Sequence, residues 1–254
     1  MRKRRRIAAT NLALCFPTMT PAARKKLLGK HFAALGIGLV EAANCWWATD
    51  ERLRRMVTMD GLEHLERARA SGRSIILLSA HFTTLEIGGR LLGLFTPFHL
   101  MYRPSDNPLL EEVIRRNREA HFEKAIPRDS VKDMMRSLKD GIPVWYAPDQ
   151  NYRRKHSVLA PFFDIPVATN TATSRIARAS GATVIPFLVE RLPGSSGYQL
   201  TLSTPLQNFP SEDTLADATR INKVLETAVR EVPEQYLWIH RRFKPLPGQI
   251  DPYN

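Results

Sequence analysis

The chain has 254 residues, of which 43% are apolar and 24% are charged, a composition typical of one globular domain with a substantial core. Its 37 Lys and Arg exceed its 25 Asp and Glu and give a net charge of +12, which predicts an anionic partner. The basic residues are not interleaved with aromatic ones, and no helix-turn-helix, zinc-finger or RNA-recognition pattern occurs, so we expect no nucleic acid among its partners. The two cysteines, Cys15 and Cys45, have neither the spacing of a metal site nor the density of a disulfide framework, which suits a reducing compartment.

The first residues of the chain form a basic segment. Residues 2–6 are all Arg or Lys, and no apolar run long enough for a secretory signal follows them. This segment is either a solvated tail or a stretch beside an anionic membrane, where each charge contributes about 1 kcal/mol. We favour the membrane, and we therefore expect a membrane-proximal segment over residues 1–20 and one folded domain over residues 21–254.

The most apolar stretch runs from Phe32 to Ala48. It is shorter than the roughly 20 residues that a membrane span needs, and Glu41 and Asn44 interrupt it. We interpret it as a helix that packs on the domain. Alternatively, Trp46 and Trp47 at its end lie at a membrane interface, where amphipathic rings are favoured.

Strand and helix patterns alternate after this stretch, which predicts a mainly parallel sheet covered by helices on both faces. The predicted strands are 74–79, 98–102, 142–147, 182–189 and 198–204. The predicted helices are 21–47, 60–70, 84–93, 107–122, 130–139, 168–180, 213–231 and 234–239. The sequence thus indicates a single α/β domain.

A histidine and a carboxylate five residues apart follow the first strand. On one continuous helix, His81 and Glu86 would be separated by about 500°, which leaves their side chains about 140° apart. They can cooperate only across a bend, and Thr83 is placed to cap a new helix with Glu86 as its third residue. Two interpretations remain open: His81 is a general base with a carboxylate partner, or Thr83 and Glu86 form a structural capping box.

Polar residues also follow two later strands, and open α/β sheets place their binding sites at such strand ends. Arg103 is either a surface arginine or a ligand for a phosphate or an acyl carbonyl. Asp149 is either a turn residue or a second carboxylate that can orient His81 if Glu86 does not. Beyond it, the cluster Arg153-Arg154-Lys155-His156 is either a solvated loop or a phosphate-binding cluster, since guanidinium groups bind phosphate oxygens in pairs.

Taken together, these motifs resemble the late acyltransferases of lipid A biosynthesis in Gram-negative bacteria, from Arg4 to about Lys244. The segments that carry the resemblance are Arg5-Arg6-Ile7, Asn11-Leu12, Phe16-Pro17, Ala80-His81-Phe82, Leu85-Glu86-Ile87-Gly88-Gly89-Arg90, Tyr102-Arg103-Pro104 with Asn107, Trp145-Tyr146-Ala147-Pro148-Asp149-Gln150, Ala160-Pro161-Phe162-Phe163 and Pro233-Glu234-Gln235-Tyr236-Leu237-Trp238-Ile239-His240-Arg241-Arg242-Phe243-Lys244. Many glycerolipid acyltransferases share the His-x4-Glu element, whereas the C-terminal block is more specific. The chain looks most like the lauroyl-transferring branch.

The resemblance implies a glycerolipid-acyltransferase-like fold and transfer of a fatty acyl chain from acyl carrier protein to a hydroxyl of a Kdo-lipid A precursor. Residues 21–254 would be the acyltransferase domain, with His81 as base and Glu86 or Asp149 as its partner. The substrate-binding residues it implies are Arg103, Asn107, Gln150, Arg153, Arg154, Arg241 and Arg242. Because a thioester is already activated, we expect no cofactor and no metal.

The resemblance also implies partners and a location. These partners are acyl carrier protein, the lipid A precursor and an anionic membrane surface, at the cytoplasmic face of the bacterial inner membrane, with the protein bound peripherally. Members of the family usually carry a hydrophobic anchor just before the segment that Arg4 begins, and this sequence lacks it, so the natural start can lie upstream. The alternative activity is acylation of a glycerophospholipid of the lysophosphatidate type.

Overall fold

The computed structural model describes residues 2–121, 124–152, 155–245, 248 and 250–254. The helices are α1 (Arg2–Cys15), α2 (Pro21–Trp47), α3 (Asp50–Arg54), α4 (Leu62–Ala70), α5 (Leu85–Leu92), α6 (Pro108–Glu119), α7 (Val131–Lys139), α8 (Ala172–Ser180) and α9 (Thr214–Glu231). The strands are β1 (Val57–Asp60), β2 (Ile75–Leu78), β3 (His99–Tyr102), β4 (Lys124–Pro127), β5 (Val144–Tyr146), β6 (Ser157–Phe162), β7 (Ile165–Asn170), β8 (Thr183–Arg191) and β9 (Tyr198–Leu202).

Seven strands form one central sheet, in the order β1-β9-β8-β2-β5-β3-β4. Every neighbouring pair is parallel except β8 and β9, which are antiparallel. Strands β6 and β7 form a separate antiparallel hairpin. The predicted single α/β domain with a mainly parallel sheet is therefore confirmed.

Both faces of the sheet are buried, as expected where helices cover a parallel sheet on both sides. On β2, Ile76 and Leu78 point into a core that also contains residues of α1, α7, α8 and α9. Ile75 and Leu77 point into a second core built with α4 and α5. Each of these four side chains is at most 1% exposed, which explains why β2 is a continuous apolar run in the sequence.

Several predicted elements differ from the observed ones. The five predicted strands are present, but β1, β4 and the β6–β7 hairpin were not predicted. The helix predicted over 168–180 begins only at Ala172, because the residues before it belong to β7. The helix predicted over 234–239 is wrong: Tyr236 forms an isolated antiparallel bridge with Phe82, and turns surround it.

The basic N-terminal segment is helical and packs on the domain. Arg2 to Arg6 are exposed, whereas Ile7 and Leu12 on the other side of α1 are buried in the core. Asn11 is buried too, and its side-chain amide donates to the backbone carbonyls of Trp238, at 2.6 Å, and His240, at 2.7 Å. Helix α1 thus holds the C-terminal block in place.

Helix α2 connects the two cores and lies against the turn that follows β2. Its first half contributes Leu28 to the core on one face of the sheet, and its last turns contribute Cys45 to the core on the other. Between them, Gly38 approaches the turn so closely that an added Cβ would lie 2.6 Å from the carbonyl oxygen of Thr83. Only glycine permits this approach, so α2 is seated directly on the turn that carries His81.

Candidate active site

Two adjacent parallel strands end together and place His81 beside Asp149. Strands β2 and β5 are in register through Leu78 and Tyr146, and each leads directly into the loop that carries one of the two side chains. His81 Nδ1 lies 2.5 Å from Asp149 Oδ1, and the His81 backbone N–H donates to Asp149 Oδ2 at 3.1 Å. Because Asp149 occupies Nδ1, the other ring nitrogen, Nε2, is left to meet a substrate.

The C-terminal block completes this arrangement. Tyr236 donates its hydroxyl to Asp149 Oδ2 at 3.0 Å, so the carboxylate accepts hydrogen bonds from three donors. The same block binds the turn through its backbone, since Leu237 N–H donates to the His81 carbonyl at 2.9 Å and Thr83 N–H donates to the Gln235 carbonyl at 2.7 Å. These bonds fix both the turn and the carboxylate that orients the imidazole.

The two charges of this pair depend on each other. Asp149 is only 3% exposed, whereas 30% of the His81 side chain remains exposed. Burial opposes the charged imidazolium, but the charge of Asp149 and its hydrogen bond outweigh burial and raise the pKa of His81. Burial likewise disfavours the carboxylate, yet His81 and Arg242 together bring the pKa of Asp149 below its usual value. The site therefore stabilises an ionised carboxylate next to a histidine that can accept a proton.

Glu86 does not contact His81 in this structure. Helix α5 begins at Leu85, so Glu86 is its second residue rather than its third. The carboxylate is bound by Arg118, through one close contact and through Nε at 3.3 Å. The alternative interpretation, a capping box, is not observed either, because Thr84 is the N-cap and has no side-chain cap bond, while the buried Thr83 hydroxyl has no partner among the described residues. Of the two carboxylates considered for His81, Asp149 is the one in contact.

His81 opens into a cavity of about 750 Å³. Its apolar wall includes Leu85, Leu100, Met101, Val131, Trp145 and Ile176. Its cationic side chains are Arg103, Arg118, Arg128, Arg175 and Lys244. A cavity of this size, lined by both apolar and cationic side chains, suits an amphiphilic ligand that carries both an acyl chain and an anionic group.

Two of the predicted substrate-binding residues, Arg103 and Gln150, line this cavity. The Arg103 guanidinium is largely exposed and binds both oxygens of Asp106 at 3.0 Å. Asn107 instead lies at the start of α6, where its side-chain oxygen accepts from the Leu109 N–H at 3.0 Å. Its described role is therefore a helix cap outside the cavity lining.

The predicted arginines of the C-terminal block also have structural partners. Arg241 forms an ion pair with Asp251 and lies over the Tyr253 ring. Arg242 is 3% exposed and donates to the Ala168 carbonyl and to Asn222, so its contacts are structural and it is not among the residues that line the cavity. Arg153 and Arg154 lie outside the described residues.

Sequence reasoning assigned no role to several residues of the site. Tyr236 and His240 lie in the C-terminal block that carries the family resemblance, but nothing in that block indicates that its backbone meets the His81 turn. His240 accepts from the Asn151 N–H at 3.2 Å, and its pKa is lowered to about 4, mainly by burial. It is therefore a neutral acceptor that holds the loop after Asp149. In the part of the chain that the structure describes, no group of three or more His, Cys, Asp and Glu could hold a metal ion.

Comparison with known proteins identifies the family. Residues 1–245 match the family model described as bacterial lipid A biosynthesis acyltransferase. A lipid A biosynthesis lauroyltransferase from Escherichia coli (strain K12) is 40% identical over 251 residues, which are 98% of this chain and 82% of the relative. A lipid A biosynthesis palmitoleoyltransferase from the same organism is 39% identical over 248 residues, which are 97% of this chain and 81% of the relative. A solved structure of a 1-acyl-sn-glycerophosphate acyltransferase from Thermotoga maritima is similar with a TM-score of 0.46 and 16% identity, over 91% of this chain and 99% of that one.

The protein is thus an acyltransferase, as expected from the His81 motif and the C-terminal block together. It belongs to the bacterial lipid A biosynthesis acyltransferases, since the family model covers nearly the whole chain. The resemblance drawn from the sequence is confirmed, and so is its consequence that the enzyme acts in lipid A biosynthesis.

Proposed function

We propose that the enzyme transfers a fatty acyl chain, lauroyl or similar, from the thioester of acyl carrier protein to the free hydroxyl of a 3-hydroxyacyl chain on a Kdo-lipid A precursor. The observation that carries this proposal is the contact of His81 with a buried, ionised Asp149 at the wall of a cavity that is both apolar and cationic. A base of this kind suits attack by a hydroxyl, and the cavity suits an acylated anionic substrate.

In the mechanism we propose, His81 Nε2 accepts the proton of the acceptor hydroxyl as its oxygen attacks the thioester carbonyl. The new C–O bond forms, a tetrahedral oxyanion develops, and the oxyanion then collapses with cleavage of the C–S bond, as the departing thiolate of the carrier takes the proton from His81. Asp149 holds the imidazole by its Nδ1 and stabilises the imidazolium, while Tyr236 orients Asp149. No cofactor or metal takes part, because the thioester is already activated.

The developing oxyanion requires a hydrogen-bond donor, an interaction typically worth about 3 kcal/mol. We assign this role to Arg103, which lines the same cavity, or to backbone N–H groups of the His81 turn. Glu86 has a positioning role in this proposal, because it binds the Arg118 guanidinium at the cavity wall.

We propose further that the enzyme works as a peripheral protein at the cytoplasmic face of the inner membrane. Helix α2 exposes Ile37, Leu39, Val40 and Trp47, the last at 77%. The basic end of α1 lies beside this helix, since the Arg5 guanidinium is 5.7 Å from the centre of the Phe32 ring. Exposed apolar residues next to several cations favour an anionic bilayer surface. Among the residues that the structure describes, no helix combines the length and the apolar character required to cross a membrane.

The test is mass spectrometry of lipid A from a strain that lacks its late acyltransferases and expresses this protein. We expect one additional acyl chain in the wild-type strain and none when His81→Ala is expressed at equal level. In parallel, the purified enzyme is offered lysophosphatidate with the same acyl donors. Acylation of lysophosphatidate without acylation of the lipid A precursor would overturn the proposal and support the glycerophospholipid alternative.

A further inference from the structure

Two arginines at the cavity wall have no part in the chemistry proposed above. Arg128 follows β4, and Arg175 belongs to the first turn of α8, so they come from elements that are distant in sequence. Both line the cavity that His81 opens into. Both arginines therefore belong to the wall of the cavity that His81 also lines.

Carboxylates hold these two arginines less tightly than they hold the other cavity arginines. Arg103 is bound by Asp106, and Arg118 is bound by Glu86. By contrast, Arg128 forms only a long ion pair with Asp129, with its Nε 3.8 Å from the carboxylate and both side chains about half exposed or more, so the pair is weak and screened by water. Arg175 has neither an ion pair nor a side-chain hydrogen bond with any residue that the structure describes. Arg175 is thus available to a ligand, and Arg128 can exchange its weak ion pair for one.

The surroundings of these arginines favour an anion. Lys244 and His156 line the same cavity, and Asp129 is the one carboxylate among its described lining residues. The first residue of α8, Ala172, also borders the cavity, so the positive end of that helix dipole lies at the cavity wall. An anion that enters here meets positive potential from several directions.

We infer that Arg128 and Arg175 form a subsite for a substrate phosphate group. Guanidinium groups bind phosphate oxygens in pairs, and two of them from different elements can hold one phosphate between them. The inference rests on the proposed function, in which both substrates carry phosphate: the disaccharide acceptor as monoesters, and the prosthetic arm of the donor carrier as a diester. Arg128 and Arg175 are positioning residues, since they hold a substrate at a distance from the reacting atoms.

The experiment compares the kinetics of Arg128→Ala, Arg175→Ala and the double variant with those of the wild type. Each is assayed with the phosphorylated acceptor and with the same acceptor after enzymatic dephosphorylation, and also with acyl carrier protein and acyl-pantetheine as donors. Arg178→Ala is the matched control, because Arg178 lies on the same helix outside this cavity and binds Glu212. Arg175→Lys tests whether charge alone suffices.

We expect each Ala variant to raise the KM of the phosphorylated substrate about 10- to 100-fold, with kcat nearly unchanged. A rise confined to the phosphorylated acceptor assigns the subsite to the acceptor phosphate. A rise for acyl carrier protein but not for acyl-pantetheine assigns it to the donor diester. Equal KM values for wild type and double variant with every substrate would overturn the inference, as would a loss in kcat alone.

A binding measurement keeps the subsite testable if the proposed acyl transfer itself fails. Inorganic pyrophosphate should raise the melting temperature of the wild type and of Arg178→Ala, and should leave that of the double variant unchanged. An equal rise in the double variant would overturn the subsite whatever the reaction is. Absence of acyl transfer by the wild type, together with a pyrophosphate effect lost in the double variant, would instead refute only the proposed function.

Discussion

Replacement of Asp149 by Asn is the most direct test of the site. The substitution keeps the shape of the side chain but removes the charge that lies 2.5 Å from His81 Nδ1. Asp149 is 3% exposed, so little water can replace it when the imidazolium forms. An Asn amide can also turn its N–H groups toward His81, which would make Nδ1 an acceptor and put the proton on Nε2, where the base must be free.

The expected cost follows from leaving a buried charge without its partner. Removing one member of a buried ion pair typically costs about 3–5 kcal/mol. If this energy is lost in the transition state, where His81 is charged, kcat falls by about 10²- to 10⁴-fold. The same range is typical for the contribution of a positioned general base, so Asp149→Asn should approach the rate of a variant that has no base.

The pH dependence has a definite sign. Because Asp149 raises the pKa of His81, the neutral base forms in the wild type only as pH rises through that elevated pKa. Loss of the charge lowers the pKa, so the rising limb of kcat against pH should move to lower pH in Asp149→Asn. The assay follows thiol release from acyl carrier protein at saturating acceptor between about pH 5 and 9, with the range chosen to bracket an ordinary histidine pKa of about 6.5.

Glu86→Gln is the matched control. Its amide can still accept a hydrogen bond from Arg118, and it does not touch His81, so its rising limb should stay where it is in the wild type. Melting temperatures of both variants show whether either has lost its fold. A folded Asp149→Asn enzyme with near-normal kcat and an unshifted pH profile would refute the role of Asp149, and a shift in Glu86→Gln instead would return that role to Glu86.

Four further predictions concern the base, its support, the oxyanion and the membrane. His81→Ala should keep its melting temperature and lose about 10²- to 10⁴-fold in kcat, whereas near-normal turnover would exclude His81 as the base. Tyr236→Phe, which removes one hydrogen bond to Asp149, should lower kcat by about 10-fold or less, checked against its melting temperature. Arg103→Ala should lower kcat by about 10²-fold if Arg103 holds the oxyanion, and a change in KM alone would assign the oxyanion to backbone N–H groups. Binding to anionic vesicles, measured by flotation, should weaken between 0.1 and 1 M salt, as the Debye length falls from about 10 to about 3 Å. The fraction of protein that stays bound at 1 M salt should be lost in a variant that carries both Val40→Ser and Trp47→Ser.

The central strands could be predicted because burial on both faces leaves a continuous apolar run, as in Ile75–Leu78. The edge strands were missed for the opposite reason. β1 (Val57–Asp60) alternates half-buried and exposed residues over only four positions, and β4 (Lys124–Pro127) is equally short and carries a lysine and a proline. Both proline residues of the β6–β7 hairpin, Pro161 and Pro166, also argue against strands by pattern alone.

Helix α1 shows how strong local charge can hide a packing surface. The five consecutive cations of residues 2–6 favour a membrane-proximal segment outside the folded domain, although Ile7, Ala8 and Leu12 recur at helical spacing. In the structure these three side chains are at most 3% exposed. The cations of residues 2–6 are exposed, so the same helix provides both the expected basic surface and an unexpected contact with the core.

Only those features of the candidate site that depend on residues close together in the sequence could be predicted. The turn after β2 indicated that His81 and Glu86 could not simply be neighbours on one helix, but which carboxylate meets His81 depends on β5 being the strand next to β2. That adjacency is a property of the sheet order and has no local signal. The contact of Tyr236 with the site is even harder to predict from the sequence, because it requires the C-terminal block to pack against the turn that carries His81.

The His-x4-Glu spacing acquires a physical meaning from this arrangement. Because α5 starts at Leu85, His81 remains in the turn and Glu86 is carried onto the helix. The two side chains therefore reach different partners, with His81 directed to Asp149 and Glu86 to Arg118. Asp149 orients the proposed base, and Glu86 holds the Arg118 guanidinium at the cavity wall. With one residue fewer between them, the glutamate would lie within the turn, and with one more it would be rotated about 100° further around α5. In either case one short segment could no longer place His81 beside Asp149 and the glutamate beside Arg118.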